Sequence, residues 1–110
     1  MHLKDHPKLI NKWPPDVTGK CFEEGLSVDD YMKERPKLIL DAVERREVAP
    51  KNKSEYSYYI SLTFKNGDKK CTSTIYIKKD QEFLDQLFAK LAKVKGKSIS
   101  EIGDLEWEDI

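Results

Sequence analysis

Asn66-Gly67 stands between two runs in which apolar and polar side chains alternate, and nothing else in the chain constrains its fold as much. Asn-Gly is a preferred two-residue hairpin turn because both central positions of a type I′ turn need positive φ. A turn centred there predicts a register in which Leu62 opposes Cys71, Ile60 opposes Ser73, Tyr58 opposes Ile75 and Tyr56 opposes Ile77. Those residues and Phe64 then share one face. The other face carries Tyr59 against Thr74, Ser57 against Tyr76, Ser61 against Thr72 and Thr63 against Lys70. Turn chemistry and side-chain alternation agree, and a one-residue slip would turn the apolar set into water.

A helix is predicted directly after the hairpin, over residues 81–95. Asp80 is suited to cap it, and Phe83, Leu84, Leu87, Phe88, Leu91 and Val94 recur at helical spacing as one wide stripe. Gly96 is a natural stop, and Lys90, Lys93, Lys95 and Lys97 crowd the C-terminal end, where the helix dipole favours positive charge. That stripe is expected to cover the apolar face of the hairpin.

The flanking segments are less regular. Ser27 followed by Val28, Asp29 and Asp30 opens a short helix over about 28–34, which Pro36 prevents from continuing. Residues 37–48 fit two patterns. Leu38, Leu40 and Ala42 alternate as in a strand, while Leu38, Ile39, Ala42, Val43 and Arg46 line one helical face. A two-stranded hairpin is marginal in water and wants a third strand, so the strand is the expectation. Ser98 and Glu101 form a capping-box pattern. Leu105 to Trp107 alternates as a short edge strand would, with a frayed acidic tail as the alternative.

Residues 1–26, holding Pro7, Pro14, Pro15, Gly19 and Gly25, are expected to form an irregular N-terminal arm. Residues 27–110 are expected to form the single domain that a chain of 110 residues allows. Trp13, Val17 and Phe22 are expected to lay the arm over the core; the alternative is Trp13 as an exposed contact. The predicted fold class is α+β: an antiparallel sheet of three or four strands, one amphipathic helix on one face, and one or two short helical turns.

Twenty basic and 20 acidic residues cancel overall but not locally. Residues 51–97 carry 11 basic against five acidic, and residues 98–110 carry five acidic and no basic residue. The two regions either neutralise each other or leave a positive face for an anionic partner. Cys21 and Cys71 form no CxxC pair and read as two reduced thiols, with Cys71 packed as a small hydrophobe on the buried face of the hairpin. With no apolar leader at the N-terminus and no run approaching a membrane span, the expected location is cytoplasmic, without membrane contact.

His2 and His6 are the only histidines and precede Pro7, so neither a metal pair nor a catalytic base on a rigid element is expected. The glycines are scattered and form no phosphate-cradling loop. No cofactor and no enzymatic activity are expected. The feature that rises above background is the second face of the hairpin: Tyr59 and Tyr76 among hydroxyls such as Thr72 and Thr74, with Lys70 and Lys78 at the ends. It suits a wet protein interface, with a partner or with a second copy of the chain pairing at an edge strand. A non-enzymatic binding or adaptor module acting through protein contacts is therefore the expected function. The alternative is single-stranded nucleic-acid binding, with bases stacked on the tyrosines.

Overall fold

The chain turns back on itself at Gly67-Asp68, one residue later than the sequence predicts. Positive φ falls on Gly67, at 63°, and not on Asp68, which is the requirement of a type II′ turn with glycine first. The predicted register is corrected accordingly. Phe64 opposes Cys71, Leu62 opposes Ser73, Ile60 opposes Ile75 and Tyr59 opposes Tyr76. Each pairing moves by two residues, so every side chain keeps its predicted face. Asn66 is freed from the turn, and its side-chain amide donates to the Cys21 carbonyl at 2.9 Å.

The computed structural model describes residues 1–47, 58–77 and 80–110. The expectations for Val48, Tyr56, Ser57, Lys78 and Lys79 lie outside these residues. Four strands form one antiparallel sheet: β1 (Thr18–Gly19), β2 (Ile39–Glu47), β3 (Tyr58–Asn66) and β4 (Lys69–Tyr76), in the order β1-β4-β3-β2. The ambiguous segment is thus a strand, paired along β3 with an irregularity between Leu40 and Ala42. The first part of its outer edge is satisfied by the backbone after the long helix. Gly96 donates to the Leu40 carbonyl at 2.8 Å, and Leu40 donates to that of Lys97 at 3.0 Å.

Helices α1 (Val28–Glu34), α2 (Gln81–Lys93) and α3 (Ile99–Gly103) start where the caps predict. Ser27 accepts from Asp30 N–H, Asp80 accepts from Phe83 N–H, and Ser98 and Glu101 complete a reciprocal capping box. Helix α2 lies over β2 and β3. It buries Phe83, Leu84, Leu87 and Leu91 against Leu40, Ile60, Leu62 and Phe64 in one core. Each such side chain contributes about 1.5–3 kcal/mol before conformational entropy is subtracted.

The arm lies over this core. Leu3, Leu9, Trp13 and Val17 are buried, and Phe22 packs against the core from its margin. The Trp13 Nε1–H donates to the Ile99 carbonyl at 3.1 Å, so the indole's one polar group is satisfied where it is buried. Cys21 and Cys71 are joined by a disulfide that ties the arm to β4, with 5.4 Å between their Cα atoms. This corrects the reading of two reduced thiols. Cys71 does sit on the buried face as predicted, but bonded.

The short strand expected at Leu105–Trp107 does not form. Glu106 makes a single bridge with His2, and Trp107–Asp109 is a 3-10 turn. The turn brings the Trp107 ring onto Phe83, with centroids 5.5 Å apart, and Lys90 Nζ holds the Trp107 and Ile110 carbonyls at 2.8 and 3.1 Å. Packing a half-buried indole against α2 takes the place of extending the sheet. Among the described residues, no helix is long and apolar enough to cross a membrane.

Candidate functional site

Because α2 and the arm occupy one face of the sheet, the hydroxyl-rich face is turned outward. Thr72, Thr74 and Tyr76 are exposed on it, and Tyr59, Ser61 and Thr63 are half-buried. The structure brings Tyr59 and Tyr76 together as a cross-strand pair, with ring centroids 5.2 Å apart and planes tilted by 38°. Each ring therefore spends part of its surface on the other. Thr72 lies opposite Thr63 and also pairs with Thr18, and Thr74 lies opposite Ser61.

Lys70 opposes Lys65, and Asp41 lies between their ammonium groups at 3.5 and 3.8 Å. Arg46 is held by Glu44 at 2.5 Å, and hydrogen bonding to that carboxylate raises the guanidinium's pKa further. Its cations thus meet acidic partners on their own surface. Lys78 lies outside the described residues.

The two sheet edges differ. Beyond its first residues β2 carries Glu44, Arg45, Arg46 and Glu47, a charged edge of the kind that discourages strand addition. The outer edge of β4 is paired with β1 at Cys71 and Thr72, and among the described residues no strand pairs with it from Ser73 to Ile75. Asn66 and Lys69 flank a two-residue turn and form a hydrogen-bonded pair, so alternate pairs along the ladder do the same. Ser73 and Ile75 then direct their backbone groups at β3, while Thr72 and Thr74 direct theirs outward. Thr72 meets β1 in this way; Thr74 faces a cleft.

That cleft, of about 490 Å³, separates residues 74–76 of β4 from residues 11–16 of the arm. The arm diverges from β4 beyond Thr18, and Pro14, which has no N–H, could not take the ladder up again further along. At its wall stands Arg35, with 9% of its surface exposed. Arg35 Nη1 donates to Asp16 Oδ1 at 2.8 Å, and Nη2 reaches only the weakly accepting Met32 sulfur at 3.6 Å. The buried Nε has no hydrogen-bond partner. Leaving such a donor unmet costs about 1–3 kcal/mol. Asp16 itself is 92% exposed and touches the guanidinium through one oxygen.

Sequence reasoning found the tyrosine face and missed the Arg35 cleft. Pro14-Pro15 signalled extended backbone near Trp13, but nothing in the spacing of Asp16 and Arg35 announces that they meet. His2 Nδ1 is 3.0 Å from Glu106, and the His6 ring lies tilted against both Phe83 and Trp107, closing a cluster of three rings. Among the described residues, no group of three or more His, Cys, Asp or Glu side chains is placed to hold a metal ion. Compared with known protein families, curated proteins and solved structures, the chain matches none.

Proposed function

We propose that this chain is a non-enzymatic protein-binding module that receives an extended segment of a partner along the outer edge of β4. The observation that carries this reading is the half-paired edge: β1 covers Cys71 and Thr72 and then leaves β4, while β2, the opposite edge strand, is guarded by charge. Main-chain hydrogen bonds from an added strand give affinity, and the exposed Thr72, Thr74 and Tyr76 side chains lie beside it to read alternate residues. The alternative, nucleic acid on the tyrosine face, is less well supported. The two rings are packed together, and Asp41 and Glu44 offset Lys65, Lys70 and Arg46.

The Cys21–Cys71 disulfide supports a non-reducing compartment for the folded protein, in place of the cytoplasmic location expected from the sequence.

The test is a proline at Thr74, which removes an outward N–H without touching the ladder to β3. Extended peptides selected on the wild-type chain by phage display should lose most of their affinity for Thr74→Pro and keep it for Tyr59→Ala. Binding that survives Thr74→Pro contradicts strand addition. Single-stranded oligonucleotide bound at low salt and lost in Tyr59→Ala would favour the alternative, since stacking is worth about 1–3 kcal/mol per base.

A further inference from the structure

We propose that the cleft beside β4 is a seat for the C-terminal carboxylate of a partner chain, with Arg35 as its anion-binding group. The proposal rests on the strand-addition reading and adds to it what the incoming strand must end in.

Three observations converge on it. First, the groove is closed at one end. Continuing the antiparallel β1–β4 register past Thr18 would set Asp16 opposite Thr74, but the arm swings outward at Pro14-Pro15 and rejoins β4 at Thr18. A strand entering alongside Ser73–Ile75 therefore runs into β1 and has to terminate there. If it takes the direction of β1, antiparallel to β4, the end that meets the barrier is its C-terminus.

Second, Arg35 stands near that closed end, because its guanidinium is tied to Asp16, two residues before β1 begins. It is nine-tenths buried, and while its Nε is enclosed, its Nη2 has no acceptor but the Met32 sulfur at 3.6 Å and is the donor left for a ligand. A guanidinium is shaped to give two parallel hydrogen bonds to one carboxylate. Asp16 takes one, through one oxygen.

Third, the charges are incomplete. Lys12 and Arg35 bring two positive charges to the cleft and Asp16 brings one negative. One incoming carboxylate balances them. Asp16, 92% exposed, is free to shift aside toward water while the ligand takes the buried guanidinium.

The experiment uses the labelled full-length chain on twin synthetic arrays of random octapeptides, one with free C-terminal carboxylates and one with C-terminal amides. Free-acid spots should bind at least about tenfold more tightly than their amide twins. Arg35→Gln should remove that difference, with folding checked by its melting curve. Asp16→Asn, which takes away the resident carboxylate at an exposed position, should strengthen free-acid binding, and it decides the matter if Arg35→Gln does not fold.

Acid and amide twins bound equally, and both lost in Thr74→Pro, would overturn the carboxylate seat and leave strand addition standing. Amidated peptides with internal Asp or Glu that bind as well as free acids would overturn the C-terminus as the source. An acid preference that persists in Thr74→Pro would keep the carboxylate seat and remove strand addition. No binding on either array would overturn the proposal outright.

Discussion

A Cβ at Gly103 would lie 2.9 Å from Nε1 of Trp13 and 3.0 Å from its Cδ1, so the indole of the arm occupies the space a side chain would need on α3. The same Nε1 donates to Ile99, one turn earlier on that helix. The arm is thereby keyed into the domain by shape and by a hydrogen bond at once.

Gly103→Ala is expected to force the indole off Ile99 and to destabilise the fold by about 1–3 kcal/mol, the usual cost of overpacking. Helix propensity alone would make this change stabilising, by up to about 1 kcal/mol. The sign of the shift in urea midpoint therefore separates the two effects. A more stable Gly103→Ala variant would contradict the Trp13 contact.

The disulfide closes a loop of 50 residues. On the chain-entropy account this contributes about 4 kcal/mol, with the mechanism depending on how the unfolded state is treated. The double variant Cys21→Ala, Cys71→Ala should melt well below the native chain, and adding reductant should lower the native chain toward it. Thiol titration of the unfolded, non-reduced protein should find no free thiol. Two titratable thiols would contradict the bond.

Folding places His6 where charging it is unfavourable. Its ring packs against both Phe83 and Trp107, and its Nδ1 accepts the Lys8 backbone N–H at 3.2 Å. Burial first, and then the Lys8 charge, hold its pKa below the ordinary 6.5. A folded pKa below the unfolded one means that the unfolded chain takes up the proton more readily. The stabilisation is thus fully present above pH 6.5 and is lost as pH falls through the folded pKa. His6→Phe should keep the ring cluster and flatten the fall in melting temperature between about pH 7 and pH 5. An unchanged slope would place the acid sensitivity elsewhere.

Asp80 reports on the join between arm and helix. It caps α2 through Phe83 N–H and also meets Lys8 Nζ. The Lys8 hydrogen bond first, and then the cap, lower its pKa below 3.8. Asp80→Ala should cost about 1 kcal/mol as a lost N-cap. Lys8→Met should raise the Asp80 pKa, followed by NMR titration, without removing the cap. No movement of that pKa would show that the cap alone sets it.

The faces of the hairpin were legible because a period of two survives any even shift in register, and the stripe of α2 was legible because six apolar residues recur on one side. The register itself was not. Gly67 belongs to both Asn66-Gly67 and Gly67-Asp68, and only the backbone reveals that its positive φ serves the first turn position rather than the second. The fate of the arm was half legible. Trp13 and Val17 read as core-seeking, but pairing Cys21 with Cys71 depends on β1 docking against β4, a contact no local pattern encodes. The tyrosine face was visible as composition on alternate residues. The Arg35 cleft was invisible because its walls come from the arm, the turn after α1 and the end of β4.

Amide hydrogen exchange along β4, read residue by residue by NMR on the free chain, tests the open edge most directly. Ser73 and Ile75, bonded to β3, should be strongly protected, and Thr74 between them should exchange far faster, because its N–H faces the cleft. Thr74 protected to the level of its two neighbours would mean that the edge is already occupied, and the proposed binding site would be lost with it.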